Sequence, residues 1–438
     1  GLAQGGQAIN CEDWSGNGGA ICSLSDLSIT NSILQSNVAE RSGGAIFVFN
    51  ASLLINDSLI QNNQTLMDLA SGGAISQLCS DCLSSPQPIF STDSSTYRGN
   101  ATLGLDADGS ALAIDGPDVA INNSLFDGNE ARGESAAGAI FARGNTTIRN
   151  SMAVNNRSKL SSCGVISFSP RITTTRLAIM DSTLYSNSAH SFGGALCAIT
   201  IFRHPVALDI INSSIIANQA KQTGSAMLVS GITDIAINNS TITGNETAGQ
   251  AGSGGTILLS FVNALIPRRH IFQLSSSILS GNTSPGGDII DGSIEGDEYE
   301  ILLNQNLLSN ASNEEISDFE GNGNIFTDQP ALVALGDNGC AIKLGFPEES
   351  TCVRTSMPVP HSPAVLQGSN PLDLPFDQRG EGFPRSSGLG TTIGAVSPIP
   401  ASAFPTSYPV PTLNLKALVL LSLLVFIFCW KQETSLLK

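Results

Sequence analysis

The sequence predicts an all-β fold: a right-handed parallel β-helix, then a C-terminal capping module and a terminal hydrophobic helix. Three observations predict it. A first motif recurs ten times, as "GGAIC" (18–22), "GGAIF" (43–47), "GGAIS" (72–76), "GSALA" (109–113), "AGAIF" (137–141), "CGVIS" (163–167), "GGALC" (193–197), "GSAML" (224–228), "GGTIL" (254–258) and "GGDII" (286–290). A second motif ends in Asn and precedes nine of these, as in "ITNSILQSN" (29–37), "INDSLIQNN" (55–63), "INNSLFDGN" (121–129) and "IINSSIIAN" (210–218). Between residues 1 and 290 no ten-residue amphipathic helix interrupts the pattern, so helical repeats are excluded.

Successive Gly motifs are 25 to 37 residues apart. Self-similarity at that period marks a solenoid, a propeller or an array. Each repeat carries two or three apolar runs of three to five residues, such as "LSI" and "AIFV", broken by Gly, Asn, Asp or Ser. These are short strands and turns. Propeller blades need four strands and more residues, so one repeat is one coil of three strands. Gly43-Gly44 is expected to turn a corner with φ > 0. Ile46 is expected to point inward onto the Ile of the next coil. Asn37 is expected to satisfy backbone at the preceding corner and to stack into an amide ladder. Nine coils at about 4.8 Å each make a rod of about 45 Å. The chain opens inside a repeat, so further coils are expected upstream.

Composition limits function. The 438 residues carry 20 basic and 37 acidic side chains, a net charge of −17. That argues against a nucleic-acid binder, which needs a basic face. It fits an exported, self-repelling surface. Nine cysteines include one C-x-x-C, Cys79–Cys82, and two locally spaced pairs, Cys11/Cys22 and Cys340/Cys352. A zinc ribbon needs a second C-x-x-C and a redox site needs a thioredoxin-like βαβ unit. Neither is present in the sequence, so several of these pairs are expected to be disulfides in an oxidising compartment, with small buried hydrophobes as the alternative. N-x-S/T tripeptides such as "NQT" (63–65), "NAT" (100–102), "NTT" (145–147) and "NST" (239–241) arise freely in a Ser/Thr/Asn-rich repeat and matter only in a eukaryotic secretory host.

Over residues 1–290 the paired motifs resemble the repeats of the polymorphic outer-membrane protein family and related bacterial β-helix proteins. That scaffold hosts adhesins, polysaccharide lyases and structural surface proteins alike. Residues 291–396 contain "GNIFTDQPALVALGDNGC" (323–340), "HSPAVLQGSNP" (361–371), "DQRGEGFPR" (377–385) and "TIGAV" (392–396), in that order. This set resembles the choice-of-anchor Q domain, with Cys340, Val365-Leu366 and Thr392 departing from its pattern. The resemblance implies a cap ahead of an envelope anchor. Asp377, Arg379 and Arg385 are expected to form a buried ion-pair network that locks it.

Residues 397–411 are Pro- and Ser-rich and read as an extended linker. Residues 412–432 read as a membrane-anchor or sorting helix. Ala417 to Trp430 is apolar or small throughout, Lys416 can snorkel, and Trp430-Lys431 suit an interface. "VPTLN" (410–414) before this run resembles the sorting signals of the IPTL/PEP-CTERM kind. Residues 433–438 are a short tail.

No catalytic, cofactor-binding or metal residue is assigned. His190, His204, His270 and His361 are scattered. Asp106, Asp108 and Asp115, in the longest repeat, are the candidates for a calcium or sugar site, though the remaining ligands of an EF-hand are missing. "IPRRH" (266–270) is the basic knot of the repeats. Two functions follow. The first is a non-catalytic, C-terminally tethered surface rod, adhesin-like, meeting extracellular polysaccharide or a host or neighbouring cell surface. The second is an anchored polysaccharide lyase or glycoside hydrolase on the same scaffold.

Overall fold

The computed structural model describes residues 2–3, 16–80, 87–116, 118–133, 137–160, 162–170, 175–200, 206–248, 255–260, 270–292, 299–309 and 321–398. The anchor helix 412–432, the tail and all but the first two residues of the linker lie outside them, as do Cys11, Cys82, Cys429, His204 and residues 266–269. Among the described residues no helix is long and apolar enough to cross a membrane.

The chain winds into a parallel β-solenoid. Each of the ten Gly motifs leads into one strand of a single ten-stranded sheet, running from Ile21–Ser23 to Ile289–Gly292. A second ten-stranded sheet runs from Leu27–Thr30 to Tyr299–Asn304. The nine Asn motifs build most of a twelve-stranded sheet that includes Ile33–Gln35 and ends at Ile325–Phe326. The pairing is parallel and places like on like: Ile46 lies against Ile21 and Ile75, and Leu34 against Ile60.

Three strands per coil was too few. A fourth, eight-stranded sheet runs from Val38–Ala39 to Glu246–Thr247. Its strands have two residues each, as in Gln64–Thr65 and Arg157–Ser158. They follow the ladder Asn directly and are too short to show an apolar alternation.

Stacked aliphatic side chains fill the interior. Ile46, Leu53, Ile55, Ile60 and Ile75 are all fully buried. Each such side chain contributes about 1.5–3 kcal/mol. Tyr97 and Phe126 continue the Asn-sheet column with stacked rings 4.8 Å apart and 5° from parallel. The Tyr97 hydroxyl donates to Thr92 Oγ1 at 2.9 Å, which makes its burial tolerable.

Three kinds of corner recur from coil to coil, and two of them are polar columns. At the first, Asn31, Asp57, Asn123 and Asn150 hold φ between 44° and 48°. The following Ser stacks: the backbone N–H of Ser32 donates to Ser58 Oγ, that of Ser58 to Ser95 Oγ, and that of Ser95 to Ser124 Oγ. At the second, the expected amide ladder runs from Asn37 through Asn63, Asn100 and Asn129 to Asn156 and on to Asn282. Asn63 is typical. Its Nδ2 donates to Asn100 Oδ1 and to the Leu34 carbonyl, and its Oδ1 accepts from the N–H and Nδ2 of Asn37. Every polar atom of a fully buried amide is thereby satisfied. At the third, Gly43 has φ 73° as expected. Gly44 is required for a different reason: a Cβ there would collide with the carbonyl oxygen of Gly73 in the next coil.

Within 291–396, the strands Tyr299–Asn304, Leu307–Leu308 and Ile325–Phe326 still belong to the solenoid sheets, and the rest of the described part lies along the flank. From Thr327 onward the chain runs back over the outer face of the Asn-motif sheet. Leu344 and Val353 cover Leu125, Met152 and Val154, while Ala364 and Ile393 cover Ile278 and Leu307. The Phe346 N–H donates to Thr96 Oγ1 at 2.8 Å, and the Ala395 N–H to Thr241 Oγ1 at 3.0 Å. Gln378 Nε2 donates to the Ser182 carbonyl and to Thr183 Oγ1. This strap explains why the covered outward positions Thr96, Leu125, Met152, Thr183 and Thr241 are apolar or hydroxylic, while the half-exposed Arg98 and Asp127 at the strand ends form an ion pair.

The expected ion-pair network is half formed. Arg379 grips Asp377 through Nη2 at 2.6 Å and Nε at 3.1 Å, with both side chains buried. The Ser397 N–H also donates to Asp377. Arg385 makes no pair with Asp377. It reaches the carbonyls of Thr392 and Ala395 and Asn212 Oδ1 of the solenoid. Burial, against the nearby Asp377 charge, pushes its pKa down to about 10.

Two disulfides are described. Cys340–Cys352 staples the strap, as its spacing suggested. Cys163–Cys197 joins adjacent coils with Cα atoms 5.2 Å apart. Cys163 occupies the corner position of a Gly motif, and Cys197 the last position of the next motif. Cys22 and Cys79 are disulfide-bonded as well.

Candidate functional site

The acidic candidates do not converge. Asp106 is exposed at a corner with φ 51°, and Asp108 precedes the Gly motif 109–113, where its N–H donates to Ser71 Oγ at 3.2 Å. Asp115 sits at the far end of the strand Leu112–Asp115 and pairs with Arg143 of the next coil at 2.6 Å. Among the described residues no group of three or more His, Cys, Asp or Glu side chains could hold a metal ion. His270 is buried, with Nδ1 at 3.0 Å from the Ile232 carbonyl, and His361 is exposed on the strap.

A different set of residues does converge, on the short sheet. In that sheet the residue after the ladder Asn faces out, the next faces the core, and the third faces out again. Ala131, Ala189 and Ala220 are the buried partners. The third position in four successive coils holds Arg132, Lys159, His190 and Lys221. Backbone hydrogen bonds run one residue past the strands and keep this column aligned, from Arg132 N to Thr102 O, Lys159 N to Ala131 O and His190 N to Ser158 O. Neighbours are therefore one coil, about 4.8 Å, apart along the stack.

Beside it runs the column Glu130, Arg157, Ser188, Gln219 and Glu246, in direct register. Glu130 holds Arg132 and Lys159, each at 2.7 Å. Burial pushes its carboxyl pKa up, and the Lys159 and Arg132 partners outweigh that, leaving it below the usual carboxylate range. Lys221 Nζ lies 3.1 Å from His190 Nδ1. Arg157 and Lys221 have no acidic partner among the described residues, and both are exposed. Arg157, Lys159, Ser188, His190, Gln219, Lys221 and Glu246 line an open cleft of about 380 Å³ together with Ser158, Ala189 and Ala220, and the Glu130–Arg132 pair lies outside it.

The sequence reading placed the basic knot of the repeats at 266–270. The stack assembles a larger one from residues about one coil apart in sequence. Its sequence signal is a basic residue three places after the motif Asn, at 132, 159 and 221.

The chain was compared with protein-family models, curated proteins and solved structures, and none of them matches.

Proposed function

We propose that this chain is a non-catalytic binding rod, exported and tethered to a bacterial cell envelope through its C-terminus. The observation that carries the reading is the cationic cleft of the short sheet. It presents Arg157, Lys159 and Lys221 on a rigid backbone ladder, in a chain of net charge −17. A concentration of one charge sign against the overall balance favours capture of an oppositely charged partner. The disulfides Cys163–Cys197 and Cys340–Cys352 support an oxidising compartment, hence export. The apolar run 412–432 behind a Pro-rich segment supports the tether. The strap motifs support kinship with choice-of-anchor Q modules, and the Gly and Asn motifs with polymorphic outer-membrane protein repeats.

The test is incubation of the chain with neutral and acidic polysaccharides, with and without calcium, scoring new reducing ends and unsaturated products. The expected result is binding without product. Reproducible cleavage, abolished by replacing Asp106, Asp108 and Asp115, would make the chain a polysaccharide-degrading enzyme and end this reading.

A further inference from the structure

We infer that the short-sheet cleft is a subsite for a linear anionic polysaccharide, laid along the solenoid axis across the coils of Asn156 to Asn245. The inference rests on the binding-rod reading and names its ligand.

The geometry selects a linear polymer. Arg157 and Lys159, then His190, then Lys221 lie on three successive coils of the cleft, so its basic groups are spaced by coil steps of about 4.8 Å along the axis. That repeat is close to the length of one sugar unit in an extended chain. A compact anion would meet one or two of these groups, whereas a chain with one acidic group per sugar meets them in succession.

Charge selects an anion. Arg132, Arg157, Lys159 and Lys221 face Glu130 and Glu246, the acidic groups of the two columns in these coils and the one before them. Glu130 is engaged by Arg132 and Lys159, and Glu246 accepts from Gln219 Nε2 at 3.3 Å. Arg157 and Lys221 are thus left to an incoming ligand. An arginine fork suits a carboxylate or sulfate in two-point contact, and lysine serves as a point charge.

Polarity selects a glycan. Between the cations the cleft presents Ser188 and Gln219, donors and acceptors for sugar hydroxyls. The floor is the backbone ladder itself, pre-organised by the Asn amides beneath it. Binding therefore orders few protein groups, which preserves affinity.

The experiment uses the full chain. Its affinity is measured by calorimetry for polygalacturonate, heparin and dextran, and for vesicles containing phosphatidylglycerol. Polygalacturonate and heparin separate carboxylate from sulfate; dextran controls for neutral sugar. The double variant Arg157→Ala/Lys221→Ala removes two exposed side chains without orphaning an ion pair, so folding is retained and is verified by thermal unfolding. The expected result is binding of at least one acidic polysaccharide, weakened on the order of tenfold or more by the double variant and by raised salt. Dextran is not bound. Acidic-polysaccharide binding that ignores the double variant would overturn the subsite while leaving the binding-rod reading in place. Binding to vesicles but to no polysaccharide would also overturn it, pointing to a lipid surface. Cleavage of the bound polymer would overturn the parent reading instead.

Discussion

The Asn-motif sheet and the short sheet grow from the same ladder of asparagines and meet opposite fates. In the first, outward positions are Leu125, Met152, Thr183, Ser214 and Thr241, all buried under the strap. In the second, outward positions are Glu130, Arg157, Gln219 and Lys221, facing solvent or half-exposed. The backbone of a parallel coil treats its outer faces alike. What differs is whether a later segment returns to cover one. Apolar and hydroxylic outward residues record a covered sheet, and charged ones an open sheet.

The largest effect expected from breaking this contrast lies under the strap. Asp377→Asn strips the buried Arg379 of its bidentate partner, and losses of that kind cost about 3–5 kcal/mol. Residues 340–398 should become sensitive to limited proteolysis while the coils stay protected. Simultaneous loss of coil protection would mean that strap and solenoid fold as one unit.

Asn156→Leu comes next. It removes a buried amide that accepts from the Asn129 N–H and Nδ2 and donates to the Phe126 carbonyl and Asn187. Orphaning those groups costs about 3 kcal/mol. A clear fall in Tm is expected; an unchanged Tm would remove the ladder from the account of stability.

Met152→Lys should act in between or below, because it places a charge under Leu344 and Val353 on the covered sheet. The matched change on the open sheet, Gln219→Lys, should move stability by no more than about 0.5 kcal/mol. Equal effects at both sites, read by thermal unfolding, would erase the distinction between covered and open faces.

The smallest effect is in pH. Glu130 has a folded pKa below its unfolded one, so its contribution is present above the unfolded value. It is lost as pH falls through the folded value, below the ordinary carboxylate range. The pair is partly solvated, so the loss is a few tenths of a kcal/mol. It should be absent in Glu130→Gln when Tm is followed against pH.

How much of this was legible in the sequence depended on spacing. Ile46, Gly43 and Asn37 were readable because each coil repeats the same residue type under the same physical demand. The strands Gln64–Thr65 and Arg157–Ser158 were not, because two residues cannot display a period. The strap carries no period either. Its motifs announced a module, but its place along the flank follows from where Leu125, Met152 and Ile278 happen to expose apolar surface. Cys163–Cys197 was hidden because one partner had replaced a corner glycine. The cationic cleft was hidden because Arg157 and Lys159 are separated from Lys221 by two whole coils, so no local window holds more than two of the three.

The central claim is that the open short sheet, and not the strap-covered face or the acidic corner, receives the ligand. Hydrogen exchange of the full chain with and without saturating polygalacturonate or heparin tests it most directly. The account predicts new protection confined to backbone amides around Arg157–Lys159, Ser188–His190 and Gln219–Lys221. Protection centred on Asp106–Asp108 or on strap residues 340–398, with the short sheet unchanged, would contradict it.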